Sequence, residues 1–380
     1  MLCTNLLAIS IQANLSTLLV GPPGVGKTAI LEALVEQIRD KKYKGKDFPL
    51  VLTNAAQAMP EDLGGAQVPN HETKTMDAYA MGAIKSLIKA GRGVHFLDEY
   101  GSCGPQMRAA CLSVFEGRVY GDVRLPNVAV VAAMNPPTIA TNGQDMTLPE
   151  SNRPLWIEWA VDDGAFFDYL LGGKGAVRDF PILPDDWQTS HLPKTRSLVA
   201  MYLKRNPKSI HVEPPPEKAT GPWPSRRSWT NAASMFAAVL ASGFAIEADE
   251  VHGAVKGFVG QSAADEFFRW VKDMDLPDPE ALLANPKAAQ GLIPQKHDRA
   301  IACLESVAAA AIEDRTNKVK RWEAAWEVLT PIIETHQDRA LSAGAILATR
   351  MPAGAAFPAV AAKILKVRRD MGISTTGNKS

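Results

Sequence analysis

Cysteine is scarce: Cys3, Cys103, Cys111 and Cys303 are the only four in 380 residues. No two form a CxxC pair or stand at metal-ligand spacing. That excludes a disulfide framework and a cysteine zinc site, and predicts reduced thiols in a cytoplasmic protein. Net charge is missing as well, with 41 Lys and Arg against 41 Asp and Glu. Proteins that bind nucleic acid by counterion release carry a basic excess, and the whole chain has none, although a local basic loop fits within a neutral total. Long apolar runs are also lacking: no stretch approaches the roughly 20 residues that cross a bilayer. The apolar start MLCTNLLAIS has neither a basic leading region nor a small-residue cleavage site, so it does not read as a secretion signal.

What remains is an ordinary globular composition, 46% apolar and 22% charged, with length enough for two or three domains. Leu15–Val20 is a short apolar run ending in a Gly-rich turn, and Ala29–Arg39 follows with helical spacing through Ile30, Leu31, Leu34, Val35 and Ile38. Pro49–Thr53 and Gly93–Leu97 predict further strands, and Val128–Met134 is a continuous apolar run stopped by Asn135–Pro136–Pro137. Between them lie turn-rich pieces (60–65, 69–75), helical stretches at Ala80–Ala90 and Met107–Phe115, and a hairpin over Arg118–Leu125 turning at Gly121–Asp122. Strands alternating with helices predict an α/β fold with a parallel sheet covered on both faces. Beyond about residue 160 the strand runs stop. Proline and charge cluster at 181–225, which predicts a loop-rich connection or an irregular insertion. Ser228–Leu240, Ile246–Phe258, Ala263–Met274, Ala300–Glu313 and Asn317–Val328 are helical by pattern, and Ser374–Ser380 reads as a disordered stub.

Gly21, Pro22, Pro23, Gly24, Val25, Gly26, Lys27 and Thr28 satisfy G-x-x-x-x-G-K-[ST] between a strand and a helix. The glycines let successive backbone N–H groups turn toward phosphate oxygens, and the helix N-terminus adds a favourable dipole. Lys27 is then expected to reach the β- and γ-phosphates and Thr28 to ligate Mg²⁺, which makes ATP and Mg²⁺ the predicted ligands. GVHFLDEY (93–100) puts two acids at the end of a buried strand, Asp98 suited to the Mg²⁺ shell and Glu99 to polarising the attacking water. Asn135, which the pattern makes the terminus of the last apolar strand, is expected beside the γ-phosphate, where its amide can orient water. His95 reads as a core histidine with satisfied nitrogens.

In this order the motifs resemble the AAA+ superfamily, and within it the MoxR-like and dynein-related group with a helix-2 insertion. The resemblance rests on GPPGVGKT (21–28), EDLGG (61–65), HFLDE (95–99), FEGRVYGDVRLP (115–126), VAAMNPP (131–137), SNRPLWIEW (151–159) and PSRRSWTNA (224–232). It implies a RecA-like αβα core over 1–160, a linker and helical lid over 161–285, and a helical C-terminal extension over 286–380. It further implies an oligomeric ring, usually a hexamer. Segment 55–93 then corresponds to the helix-2 insertion and 118–125 to the pre-sensor hairpin. Arg153, in SNRP, stands in the place of the arginine finger, although Pro154 replaces the usual Phe. Arg227, before Ser228–Trp229, stands in the place of the lid arginine that contacts nucleotide. Arg226 occupies a position where proline is common and is the alternative for that role.

The function this implies is an ATP-hydrolysing remodelling chaperone of the MoxR type, working with a von Willebrand factor A-type protein partner. A nucleic-acid-dependent motor is the second reading, resting on Lys74, Arg118 and Arg124, and a non-hydrolysing ATP-dependent scaffold the third. No motif beyond residue 286 connects to chemistry.

Overall fold

The computed structural model describes residues 2–136, 145–160, 163–173, 180–215, 219–274, 276–313 and 317–370. Two compact units divide the chain, one formed by Met1–Asp185 with Lys208–Asp265, the other by Asp186–Pro207 with Glu266–Ser380.

In the first unit, α1 (Leu2–Gln12) precedes β1 (Thr17–Val20), α2 (Lys27–Lys41) and β2 (Leu50–Asn54). An insertion follows, made of the short α3 (Pro60–Gly64), the antiparallel hairpin β3 (Ala66–Asn70) and β4 (Thr75–Tyr79), and α4 (Lys85–Ala90). Next come β5 (Gly93–Asp98), α5 (Pro105–Gly117), the hairpin β6 (Val119–Tyr120) and β7 (Val123–Arg124), and β8 (Val128–Met134). Short α6 (Leu148–Ser151), β9 (Leu155–Glu158), α7 (Asp163–Leu170), and after the second unit's first segment α10 (Arg226–Ala241) and α11 (Asp249–Val259), complete it.

Five strands form one parallel sheet in the order β2-β5-β8-β1-β9. The expected α/β P-loop fold with a parallel sheet is therefore present. β8 is buried along its whole length and β5 everywhere except Asp98, as strands covered on both faces must be. The core around the sheet joins Leu18, Leu97, Tyr100, Val114, Phe115 and Val130. His95 is fully buried and pairs through Nε2 with Thr53 Oγ1 (3.0 Å) and through Nδ1 with the Tyr120 hydroxyl (3.0 Å). Burial pushes its pKa down to about 4, so it is the satisfied core histidine that its strand context predicts.

The apolar start folds as helix α1, with Leu6 through Ile11 all buried. Two local expectations are corrected. Asn135 does not follow the sheet's last strand, because β9 pairs with the other side of β1 in the register Thr17↔Leu155 to Val20↔Glu158. The segment 181–225 is not only loop, since it contains α8 (Trp187–Ser190) and α9 (Leu192–Arg205).

The second unit is helical throughout. α8 and α9 belong to it, together with most of α12 (Gln261–Met274), then α13 (Pro279–Ala284), α14 (His297–Glu313), α15 (Lys318–Thr335), α16 (Gln337–Thr349) and α17 (Ala359–Asp370). Its core gathers Cys303, Val307, Trp322, Trp326, Leu329 and Leu347. Trp322 buries its ring edge-on to Trp326, with centroids 5.8 Å apart, and its indole N–H donates to the Leu347 carbonyl at 2.9 Å. The Ser374–Ser380 stub lies outside the described residues.

Candidate nucleotide site

Strand order decides what meets at the carboxyl edge of the sheet. β8 lies between β5 and β1, so the ends of these three strands are neighbours, as is usual for ligand sites in parallel α/β sheets. Val20 is level with Met134, and Leu97 with Ala132. The loop leaving β1, the acids ending β5 and the asparagine following β8 therefore emerge side by side. They line a cleft of about 400 Å³ bounded by Gly24, Lys27, Thr28, Asp98, Glu99 and Asn135, among others.

Close approach requires glycine at position 21. A Cβ there would sit 2.9 Å from both the Cβ and the carbonyl oxygen of Trp159, just beyond β9. Gly24 and Gly26 take left-handed backbone angles, φ 77° and 80°, which reverse the chain into α2. Gly26 occupies the N-cap and brings no side chain to the helix terminus, which leaves the first-turn N–H groups for an anion. The Lys27 ammonium donates to the carbonyls of Gly21 (2.7 Å) and Pro22 (2.8 Å). Its burial lowers its pKa below the ordinary lysine value, with the Asp98 carboxylate opposing the shift.

The Thr28 hydroxyl donates to Asp98 Oδ2 at 3.2 Å, and the Glu99 N–H donates to Asp98 Oδ1 at 2.9 Å. Glu99 itself adopts φ 55°, ψ 33°, a left-handed conformation uncommon for a residue with a Cβ and concentrated at functional turns. Thr28 and Asp98 give two hard oxygen donors in contact across the cleft. That set fits Mg²⁺, which takes one or two protein oxygens and completes its shell with phosphates and water. Among the described residues no group of three or more His, Cys, Asp or Glu is placed to hold a metal ion.

Arg153 and Arg227 do not line this cleft. Both converge on Glu116 in the last turn of α5. Arg153 reaches Oε2 through Nε (3.1 Å) and Nη2 (3.0 Å), and Arg227 reaches Oε1 through Nη2 (2.9 Å). They line a second cavity with Arg118 and Arg124. Behind them the buried Asn152 donates to the Trp223 carbonyl (2.9 Å) and accepts from the Ser225 hydroxyl (2.6 Å), and Ser225 in turn caps α10. The stretch that carries Arg153 is thus sewn to the helix that carries Arg227. Arg118 is buried and saturated by carbonyls of Asn14, Val114, Phe115 and Val128 and by Ser16 Oγ. Burial lowers its pKa to about 10. These bonds fasten the entry of β1 to the start of β8, an architectural role that weakens the nucleic-acid expectation placed on it.

Sequence reasoning missed Glu116, Asn152 and Ser225. The pattern S-x-x-S at 225–228 is a helix-start signal that could have flagged the last, but nothing local announces the other two. Arg108 was missed too. It donates to the carbonyls of Gly101 (2.9 Å), Cys103 (3.2 Å) and Asp145 (3.0 Å), and lies 3.8 Å from the buried Glu150. It fixes the turn that follows Glu99.

Residues 16–150 match the AAA domain family of the dynein-related subfamily. This segment carries the phosphate loop, the acid pair and Asn135, and the chain thus contains an AAA-type ATPase domain. No curated protein matches the chain. Among solved structures it is similar to a candidate ATPase from Cytophaga hutchinsonii, at 15% identity and a TM-score of 0.42, over 70% of this chain and 87% of that one. No helix among the described residues is long and apolar enough to cross a membrane.

Proposed function

We propose that this chain is an ATP-hydrolysing remodelling ATPase of the MoxR-like kind, acting as a ring of copies, six in the group it resembles, on a protein target. A partner with a von Willebrand factor A-type domain would present that target. The observation that carries the ring is the separation of the arginines from the cleft. A phosphoryl-transfer site needs positioned cations against the charge developing on the γ-phosphate. Among the described residues the cleft offers only Lys27 as a cation, while Arg153 and Arg227 stand together elsewhere on the same unit. A second copy placed head-to-tail, in the heterologous arrangement that closes rings, would bring them in.

In this reading the phosphate-loop N–H groups and Lys27 bind the β- and γ-phosphates. Thr28 and Asp98 would hold Mg²⁺, which when bound supplies charge against the phosphate oxygens. Glu99 accepts the proton of the attacking water, and Asn135 orients that water. Arg153 acts as the finger and Arg227 as a second nucleotide contact. The nucleic-acid-motor reading is weakened because Arg118, one of its three cations, is buried.

The test is complementation. Arg153→Ala should bind ATP yet hydrolyse it very slowly, because fingers are worth roughly 10³–10⁵ in rate, and Lys27→Ala should be inactive with its own Arg153 intact. Mixed in equal amounts with subunit exchange verified by labelling, about a quarter of the interfaces join an intact loop to an intact finger. ATPase activity then reappears. A silent mixture with proven exchange would reject the shared site.

A further inference from the structure

We propose that Glu116 is a positioning residue that presents Arg153 and Arg227 as one bifurcated clamp for a single anion, the terminal phosphate of a nucleoside triphosphate held by a second copy of this chain. The proposal rests on the shared-site reading above and adds the residue that sets its geometry.

The two guanidiniums come from stretches of chain 74 residues apart, the turn after α6 and the first turn of α10. Left alone, like charges at such range separate. One carboxylate holds both, with a separate oxygen for each arginine. Planar guanidinium forks keep a defined orientation when one edge is fixed; Nη1 of Arg153 also donates to the Pro149 carbonyl, and the N–H groups left over on the two arginines are those a ligand can use. Two cations against one anion leave the cluster positive, and exposed Arg124 lines the same cavity. The side chain of Glu116 is half exposed. The pair of Glu116 with Arg227 is exposed on both sides and contributes little to folding, while Arg153 is largely covered. Position in the chain suggests why the cluster is built on α5. The helix starts just after the turn that follows Glu99, where Arg108 is anchored, and carries Glu116 in its last turn. One rigid element therefore connects the acids of a copy's own cleft to the arginines it would lend.

The experiment uses the full chain and Glu116→Gln, which keeps size and polarity but not charge. We expect kcat to fall roughly 10–100-fold, the scale of a misplaced catalytic group. KM, the affinity for a fluorescent ATP analogue and the unfolding midpoint should stay within about twofold or unchanged. Glu116→Asp should restore part of kcat. Mixed with Lys27→Ala, Glu116→Gln should regain activity, since its own phosphate loop is intact. Mixed with Arg153→Ala it should not, because both lesions lie on the lending side. Normal or raised turnover by Glu116→Gln, or recovery with Arg153→Ala, would overturn the proposal. If Arg153→Ala itself hydrolyses ATP normally, the shared-site reading fails first, and the two failures are told apart.

Discussion

Acidification should weaken the unit that carries the nucleotide cleft, and His95 sets by how much. The residue lies in β5, in the same strand as Asp98, fully buried between Thr53 and Tyr120. Burial pushes its pKa down to about 4 in the folded chain, against 6.5 for a histidine in water. Because the folded pKa is depressed, the unfolded state takes the proton more readily. Stability is fully present above pH 6.5 and declines as the pH falls from there toward about 4. At about pH 5 the two protonation equilibria differ by a factor of about 30, or about 2 kcal/mol at 1.36 kcal/mol per pKa unit. Urea titrations at about pH 7.5 and about pH 5, with β5 opening read by pulsed hydrogen exchange and mass spectrometry, would measure the drop. His95→Gln keeps a polar side chain that does not titrate. It should be less stable than wild type at neutral pH, because one ring partner is lost, yet lack this 2 kcal/mol share of the acid-dependent decline (roughly, by the same linkage). An identical pH-dependent loss in both proteins would refute the reasoning.

Glu99→Gln should retain MgATP binding in a fluorescent-nucleotide titration while phosphate release slows roughly 10²–10⁴-fold, the usual worth of a general base; normal turnover would move the base elsewhere. Lys27→Ala should instead raise the dissociation constant itself, and an unchanged constant would take Lys27 off the phosphates. Asn152→Ala removes the buried partner shared by the Trp223 carbonyl and the Ser225 hydroxyl and should cost about 1–3 kcal/mol in urea denaturation; an unshifted midpoint would mean that the stitch is idle.

The cleft was legible because its residues are local signals. A phosphate loop, an acid pair and a strand-ending asparagine each announce themselves within a few positions, and the parallel sheet then brings them together without further instruction. The Glu116 cluster was not, because its members pair across 37 and 111 positions and a lone glutamate on a helix says nothing of what folds onto it. α1 hid behind its own burial: from Leu6 to Ile11 every residue is covered, so no helical period of apolar and polar positions survives. α9 was masked by proline, though Pro193 stands in the first turn, where proline starts helices as readily as it breaks them elsewhere. β9, only four residues long, was too short to stand out from the motif before it.

The place of β1 in the sheet has a consequence for the protein as it is being made. Both strands that flank the one delivering the phosphate loop, Val128–Met134 and Leu155–Glu158, follow it in the chain by more than a hundred residues and so are synthesised later. Until then the loop has no sheet edge to hang from, and Arg118, which ties the entry of β1 to the start of β8 through Ser16 and Val128, has nothing to fasten. Closing contacts of that range is slow, because chain entropy is lost before any pairing is gained. The strand that presents the phosphate loop therefore gains its second sheet neighbour only once Glu158 has been made, so the loop's setting depends on chain far downstream of it.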